Sequence, residues 1–153
     1  MKNFRPILIG IALFWCSSFG AWAAESAGMV KTIWGSVNVS RNSTAAVPIG
    51  VGERVFPGDR LVTGIDGYIG IMLHDDTRVT IGPKSELLIK EFEFNATTYV
   101  GGLVMSFFRG TAIVATGLLG KHSRDRVSIN TPTATIGIRG TEFVIDLEES
   151  AGS

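Results

Sequence analysis

Short apolar runs recur along the chain from Val30 onward, and glycine or turn residues interrupt them every eight to twelve positions. The runs are rich in Val, Ile, Thr and Phe, and apolar residues do not repeat at helical spacing over any longer window. They cover residues 33–39, 60–63, 68–73, 78–81, 86–94, 103–108, 111–115, 127–129 and 141–147. This spacing is typical of all-β folds, so the sequence predicts a β-sandwich, a β-roll or a short β-solenoid with almost no helix.

The clearest local unit is a predicted hairpin over residues 68–81. A period of two places Ile69 and Ile71 on one face, and Val79 on the return strand can meet them there. The connection at residues 74–77 carries two consecutive aspartates, and aspartate tolerates the positive φ of a tight turn better than most residues.

A weak internal repeat divides the chain into two halves. The patterns at residues 35–39, 59–63 and 69–71 recur in the same order at residues 110–114, 125–131 and 136–138. An Asp-Arg pair precedes an Ile-Gly-Ile triplet by 10 residues in the first half and by 11 in the second. We interpret this repeat as a duplicated strand–turn module, which favours stacked β modules with a shared core. A chance similarity is the alternative.

The N-terminal segment has the layout of an export signal. Lys2 and Arg5 form a positive n-region, residues 7–15 form an uncharged apolar stretch, and Ala21 and Ala23 form an A-x-A cleavage pattern. An apolar stretch of this length is shorter than the roughly 20 residues that span a bilayer. We therefore predict a cleaved signal peptide over residues 1–23, with an uncleaved membrane anchor as the less favoured alternative.

Removal of this segment changes the composition that bears on function. The full chain of 153 residues has 14 Lys+Arg against 14 Asp+Glu and a single cysteine, Cys16. Cleavage after Ala23 would leave 130 residues with 12 basic and 14 acidic side chains and no cysteine. A lipid anchor at Cys16 is disfavoured because the bulky Trp15 precedes it. The mature chain would then exclude thiol chemistry and disfavour nucleic-acid binding, and we expect a soluble periplasmic protein, or else a secreted one.

The expected domain organisation is simple. Residues 24–29 are expected to form a flexible N-terminus, residues 30–147 one β domain, and residues 148–153 a C-terminal tail. No later segment approaches 18 consecutive apolar residues, so no transmembrane segment is expected in the mature chain.

The most specific motifs of the β domain lie in three stretches. Val-Phe-Pro-Gly-Asp-Arg-Leu-Val-Thr occupies residues 55–63, and Ile-Gly-Pro-Lys-Ser occupies residues 81–85. The string Thr-Pro-Thr-Ala-Thr-Ile-Gly-Ile-Arg-Gly-Thr-Glu-Phe occupies residues 131–143. Together with the Gly-x-Val-x-Val pattern at residues 35–39 and the predicted hairpin, these stretches resemble the FecR domain, a periplasmic domain named for ferric-citrate signal transducers.

The resemblance implies an exported, non-enzymatic all-β domain that takes part in protein–protein signalling or is associated with the cell envelope. Family members that act as transmembrane regulators consist of a cytoplasmic anti-sigma region, one membrane helix and then this domain. This chain is more similar to the free-standing periplasmic members. It departs from the pattern at Asp76, where the turn usually has glycine, and it stops soon after Asp146, where members often continue, so we expect a clipped end.

Arg139, Gly140 and Thr141 form the first candidate interaction site. Glycine permits a close approach of the backbone, and the Arg139 side chain offers five donors in a rigid fork. The functional interpretation is recognition of a partner or an anion. The structural alternative, which we favour, is an arginine that holds loop carbonyls or a carboxylate such as that of Asp59.

The sequence gives little support to metal or cofactor chemistry. His74, Asp75 and Asp76, with Asp66 nearby in sequence, offer nitrogen and oxygen ligands, but they lack the spacing of a calcium loop and a second histidine nearby. We expect no metal, no cofactor and no iron site, and we interpret the aspartates as turn formers.

Catalysis is expected even less. His74 and His122 are the only histidines, and neither lies beside a nucleophile motif. Glu91 and Glu93 are predicted on one face of a strand and Glu86 on the other, which fits a solvated strand better than a carboxylate pair for glycoside hydrolysis. We therefore predict that the protein is not an enzyme.

Phe107 and Phe108 form the second candidate interaction site. Consecutive strand residues point to opposite faces, so one of the two must leave the first face. Either both faces of the sheet are covered, or an apolar patch is exposed. A basic cluster of Lys121, Arg124 and Arg126 is interpreted mainly as a solvated loop, with contact to anionic lipid, glycan or an acidic partner as the alternative.

Two functions remain open at this point. The first is a periplasmic interaction or signalling module that binds an unidentified envelope protein through strand edges or a sheet face. The second is a periplasmic protein that binds a small molecule or a glycan, with Arg139 supplying polar contacts. A filled core with an exposed edge or a flat apolar face would favour the first, and a deep aromatic pocket with Arg139 at its mouth would favour the second.

Overall fold

The computed structural model of the chain describes residues 25–138 and 142–147. These residues form twelve strands, one short α-helix and one turn of 3-10 helix. The strands are β1 (Gly28–Trp34), β2 (Val37–Arg41), β3 (Val47–Pro48), β4 (Arg54–Val55), β5 (Asp59–Thr63), β6 (Tyr68–Leu73), β7 (Arg78–Ile81), β8 (Glu86–Phe94), β9 (Gly101–Ala115), β10 (Val127–Asn130), β11 (Thr135–Gly137) and β12 (Glu142–Leu147). Helix α1 covers Leu118–His122, and the 3-10 turn covers Arg124–Arg126. The prediction of an all-β domain is confirmed.

The strands form one sheet that curls into a half-barrel. Its order is β3-β2-β5-β8-β9-β7-β6-β1-β4, and β10, β11 and β12 lie off this path. We call β4-β1-β6-β7-β9-β12 the front sheet and β3-β2-β5-β8-β9-β10-β11 the back sheet. The long strand β9 belongs to both, because its first half pairs with β8 and β10 and its second half pairs with β7 and β12. All pairs are antiparallel except β9–β10, which is parallel.

The inner faces of the two sheets enclose one apolar core. Every second residue of the predicted hairpin enters it, and the registers Ile69–Ile81 and Ile71–Val79 confirm the pairing expected from the period of two. The hairpin turn places Asp76 at φ 66°, as expected for aspartate in a tight turn. Within the described residues, no helix is both long and apolar enough to cross a membrane.

Two glycines divide the strands differently from the sequence prediction. The run at residues 33–39 is two strands, because Gly35 has φ 64° and the chain leaves the front sheet there and enters the back sheet. The runs at residues 103–108 and 111–115 are one strand, β9, in which Gly110 has φ 89°. A glycine with positive φ can either end a strand or bend it, and sequence alone does not distinguish the two.

The ordered fold begins earlier than the expected boundary at Val30. Ala27 is fully buried, its amide donates to the Val55 carbonyl at 2.8 Å, and β1 starts at Gly28. The part of residues 24–29 nearest the domain is therefore integrated into the front sheet. The predicted signal peptide with Cys16, Ala21 and Ala23 lies outside the described residues.

The two halves of the internal repeat are placed differently. Residues 35–39 contribute β2, which pairs antiparallel with β5 at residues 59–63. Residues 110–114 lie in the second half of β9, whereas β10 pairs in parallel with the first half of β9. The strand pairing therefore gives the proposed duplication no support.

Candidate functional site

The Pro-Gly-Asp stretch forms a buried ion pair. Asp59 is fully buried, and its carboxylate accepts hydrogen bonds from Arg41 Nε at 2.6 Å and Arg41 Nη2 at 2.8 Å. Asp59 Oδ2 also accepts from the amide of Phe56, and the Arg41 guanidinium lies 4.5 Å from the Phe56 ring centre. The hydrogen bond to Asp59 raises the pKa of Arg41 above its ordinary value, against a smaller opposing effect of burial. Arg41, rather than a distant arginine, is thus the described partner of Asp59.

The Asp-Asp-Thr turn joins the predicted hairpin to α1. Asp75 is fully buried, and its carboxylate accepts from the Thr77 amide at 3.1 Å, the Thr77 hydroxyl at 2.7 Å and the Leu119 amide at 3.3 Å. The Gly117 amide donates to the Thr77 hydroxyl at 3.0 Å. Asp75 therefore acts as an internal hydrogen-bond acceptor and is not available as a surface ligand.

The Ile-Gly-Pro-Lys-Ser stretch also forms hydrogen bonds inside the domain. Ser85 is fully buried, its amide donates to the Thr63 hydroxyl at 2.8 Å, and its hydroxyl accepts from the Thr111 amide at 3.0 Å. The Thr63 hydroxyl donates in turn to the Gly82 carbonyl at 2.7 Å. These polar groups satisfy one another where the front and back sheets meet, so they form internal bonds rather than a ligand site.

The outer face of the front sheet carries a row of uncharged residues. One row crosses five strands through the pairs Thr32–Gly70, Gly70–Thr80, Thr80–Ile113 and Ile113–Val144. Its members are small, hydroxylated or apolar, and Val144 is 67% exposed. The row forms a continuous uncharged strip from β1 to β12.

Three further apolar side chains are exposed at one end of this sheet. Trp34 and Tyr68 are direct cross-strand partners on β1 and β6, and Trp34 is 77% exposed. Ile65, in the turn before β6, is 80% exposed. The Ser36 amide donates to Asp66 Oδ1 at 3.3 Å, which ties the turn after Trp34 to the turn that carries Ile65. We call the strip and these three residues together the front face.

The outer face of the back sheet is polar by comparison. Its central row follows the strand pairing and consists of Ser40, Arg60, Leu88, Ser106, Asn130 and Thr135. Glu86 forms ion pairs with Arg60 and with Arg109, the latter at 3.4 Å. The central rows of the two outer faces therefore differ in chemistry: the front row is uncharged, and the charged residues Arg78, Glu142 and Asp146 of the front sheet lie in the rows that flank it.

The predicted placement of the three strand glutamates is wrong. Ile89 pairs with Met105 and Glu91 pairs with Val104, so Lys90 is an extra residue in β8. This bulge shifts the alternation, and the inward positions change from Ile89 to Phe92. Glu86, Glu91 and Glu93 consequently all lie on the outer face of the back sheet.

Comparison with protein families resolves the identity of the domain. The family model described as "FecR protein" matches residues 59–153, which is more than half of the chain. The chain belongs to the FecR family. FecR domains are signalling and regulatory domains rather than enzymes.

Two other comparisons add little to this assignment. A solved structure described as "Cell surface anchoring domain" is 28% identical over 41% of this chain and 83% of that chain. Its TM-score of 0.39 does not establish a shared fold. A comparison with curated proteins finds no significant match.

Within this FecR domain, the candidate Arg139-Gly140-Thr141 lies outside the described residues. The other candidate pair is split by the sheet: Phe107 is 1% exposed and belongs to the core, whereas Phe108 points outward and is 37% exposed. The Arg60 guanidinium lies 4.8 Å from the Phe108 ring centre. Phe107 is therefore inaccessible to a partner, and Phe108 is partly covered by a cation on the polar face.

An open cleft of about 610 Å³ lies where β8 ends and β9 begins. Its wall includes the apolar residues Pro57, Phe92 and Phe94 and the polar residues His74, Glu93 and Arg126. Ser26 Oγ and His74 Nε2 are 3.0 Å apart at its rim. This cleft is a concave surface that could take a ligand, and its lining includes Arg126 of the basic cluster together with two aromatic rings.

The polar residues singled out from the sequence lie in different surroundings. His122 stacks on Tyr99 with 5.4 Å between ring centres, while Lys121 and Arg124 are exposed on the surface near α1. Over residues 25–138 and 142–147, no group of three or more His, Cys, Asp or Glu side chains could hold a metal ion.

Sequence reasoning missed the front face, whose only local signal is an apolar residue beside glycine at two turn tips, Trp34-Gly35 and Gly64-Ile65.

Proposed function

We propose that this FecR domain is an exported, non-enzymatic interaction module of the cell envelope that binds a protein partner through its front face. The observation that carries the proposal is the uncharged row that ends in Ile113 and Val144, exposed on a sheet whose interior is already filled. Ile113 and Val144 are neighbouring apolar side chains that are both exposed, and adjoining exposed apolar residues favour an interaction site. The family motifs at Asp59, Asp75 and Ser85 are occupied by internal bonds, so partner binding falls to other residues.

Periplasmic localisation is part of the same proposal. It is supported by the positive n-region, the short apolar stretch and the A-x-A pattern at Ala21 and Ala23. Membership of the FecR family supports a signalling role but does not specify the partner. Arg139 stays a candidate for an additional contact to that partner.

Co-purification from envelope fractions tests the proposal. Val144→Glu places a charge in the front face, and Val51→Glu makes the same change at an exposed position in the loop between β3 and β4, at the opposite edge of the front sheet from β12. We expect the wild-type chain and the Val51→Glu variant to enrich the same protein and the Val144→Glu variant to lose it. An Arg139→Ala variant in the same experiment shows whether that side chain contributes. Equal enrichment by Val51→Glu and Val144→Glu would remove the support for the front face.

A second candidate function is binding of a small molecule or a glycan. The cleft favours it, because Phe92 and Phe94 offer apolar rings beside the charged Arg126 and Glu93. Calorimetric titration with envelope glycan fragments would test this function. Under it, Arg126→Ala weakens binding while Val144→Glu leaves binding unchanged, which is the reverse of the pattern expected for a front-face partner.

A further inference from the structure

Strand β12 forms one edge of the front sheet. Within the described ranges, it pairs with β9 alone, over six consecutive residue pairs from Glu142–Ala115 to Leu147–Gly110. The backbone groups on its other side therefore have no described strand partner. An edge that is unpaired over six residues within the described ranges can act as a template for an additional strand.

The outward side chains of β12 give this edge a charge pattern. Glu142, Val144 and Asp146 alternate along the strand and are all exposed. Their cross-strand neighbours on β9 are Ala115, Ile113 and Thr111, none of which is charged. Neither carboxylate forms an ion pair with any described residue. The edge thus presents two unneutralised carboxylates on either side of one exposed apolar side chain.

Among the described residues of the front sheet, the cation aligned with this pattern, Arg78, is remote from β12. Arg78 pairs with Ala115, which in turn pairs with Glu142, so two strand spacings separate Arg78 from Glu142. At about 4.8 Å per strand this places their backbones roughly 10 Å apart. The position directly beside Glu142, on the open side of β12, is where a cation would neutralise it most effectively.

The same pattern disfavours self-association at this edge. Two β12 strands that pair antiparallel about Val144 would set Glu142 of one copy opposite Asp146 of the other. Directly opposed like charges destabilise a strand pair. This charge pattern favours, as an occupant of the edge, a strand of different sequence with positive charge where β12 has negative charge.

We propose that β12 accepts an extended segment of a partner protein whose residues at positions i, i+2 and i+4 are cationic, apolar and cationic. The segment would add one strand to the front sheet, with main-chain hydrogen bonds supplying affinity and the alternate side chains supplying selectivity. Its cations would lie beside Glu142 and Asp146, and its apolar residue beside Val144. The inference rests on the proposed function, because it names the chemistry of the partner at the front face.

Labelled peptides test this inference directly. Thr-Lys-Thr-Ile-Thr-Lys-Thr and Thr-Glu-Thr-Ile-Thr-Glu-Thr differ only in the sign of two charges, and binding to the full chain is measured by fluorescence anisotropy. We expect the basic peptide to bind about tenfold more tightly than the acidic one, with a preference that shrinks as salt is added. We expect a basic peptide with N-methyl groups on alternate amides of its bonding edge to lose binding. Equal binding of the two peptides, or full binding of the N-methylated one, would overturn the proposal.

A charge-swapped edge provides the specificity control. The variant Glu142→Lys/Asp146→Lys should prefer the acidic peptide, whereas Glu91→Lys/Glu93→Lys, an equal charge change on the back sheet, should keep the preference for the basic one. Circular dichroism confirms that both variants are folded. Val144→Glu could abolish co-purification of a partner while neither the wild-type chain nor the charge-swapped variant prefers one of the two peptides. In that case the strand inference is wrong and the proposed function stands. If co-purification is also unaffected, both are wrong.

Discussion

Asp59 and Arg41 form a two-point ion pair in which Nε lies 2.6 Å from Oδ1 and Nη2 lies 2.8 Å from Oδ2. Arg41 is the last residue of β2 and Asp59 is the first of β5, and the two are direct cross-strand partners. The carboxylate is fully buried, whereas the guanidinium is about half-exposed. The pair therefore fixes the start of β5 and the turn before it. It also occupies Asp59, the acidic residue of the Pro-Gly-Asp stretch, with an internal bond.

Removal of the Arg41 side chain should leave the buried Asp59 carboxylate without its ion-pair partner and so destabilise the domain. We expect Arg41→Ala to lower the free energy of unfolding by about 2 kcal/mol, less than for a fully buried pair because Arg41 is partly solvated. Arg54→Ala is the control, since Arg54 is exposed and forms none of the ion pairs among the described residues. Urea unfolding of both variants measures the difference. Equal stability of the two variants would show that the ion pair is energetically neutral.

The pH dependence of this effect follows from the sign of the shift. Because Asp59 raises the pKa of Arg41, the stabilisation is complete below the ordinary arginine pKa and is lost only as the pH rises through the raised value. The difference between wild type and Arg41→Ala should therefore be equal at about pH 7 and about pH 9. A difference that declines over this interval would contradict the assignment.

Gly110 should be intolerant of any side chain. It has φ 89°, and a Cβ there would lie 2.6 Å from Ser85 Cα, which is backbone and cannot move aside. We expect Gly110→Ala to destabilise the domain by about 3 kcal/mol through strain and loss of the Ser85 hydrogen bonds. Gly137→Ala is the matched control, because nothing lies within 4 Å of its Cβ position and its φ is not positive. Thermal unfolding should separate the two, and similar melting temperatures would refute the close packing at Gly110.

The adjacent aspartates of the hairpin turn should respond with opposite signs. Asp75→Ala leaves the Thr77 and Leu119 amides without their acceptor and should cost about 2 kcal/mol. Asp76→Gly relieves a positive φ of 66° and should stabilise the domain by about 0.5 kcal/mol. Chemical unfolding of both variants tests this pair of expectations. Loss of stability in Asp76→Gly would indicate that the aspartate side chain contributes a contact of its own.

Export should leave a defined N-terminus. We expect the protein recovered from the periplasm to begin at Ala24, and the Ala23→Asp variant to accumulate as an unprocessed precursor. Ala24→Ser, one residue beyond the cleavage site, should be processed normally. N-terminal sequencing and intact mass measure both outcomes. A mature mass that includes residues 1–23, or a lipid on Cys16, would replace the signal-peptide prediction with an anchor.

The sequence predicted the parts of the fold that local alternation controls. The hairpin with Ile71 opposite Val79 follows from the period of two and a turn that suits aspartate. The path of the chain at Gly35 and Gly110 could not be predicted, because glycine permits both a strand end and a bend. The bulge at Lys90 could not be predicted either, because an extra residue in a strand does not change the composition of the strand in a recognisable way.

The candidate site was harder to predict than the fold. Ile113 and Val144 become neighbours only through the pairing of β9 with β12, a contact between residues distant in sequence. The residues that stood out as motifs, such as Asp59 and Asp75, are distinctive because they bond internally. Phe107 and Phe108 were correctly expected to point to opposite faces, but the outward residue lies on the polar back sheet rather than on the apolar front face.

Photo-crosslinking in living cells tests the front face most directly. A photoreactive amino acid at Val144 or Ile113 reports partners at the front face, and one at Lys90 or Thr135 reports the back sheet from strand positions that are also exposed. The account predicts that one envelope protein is captured from Val144 and Ile113 and is absent from Lys90 and Thr135. Capture of the same protein from the back-sheet positions alone, with none from the front face, would contradict it.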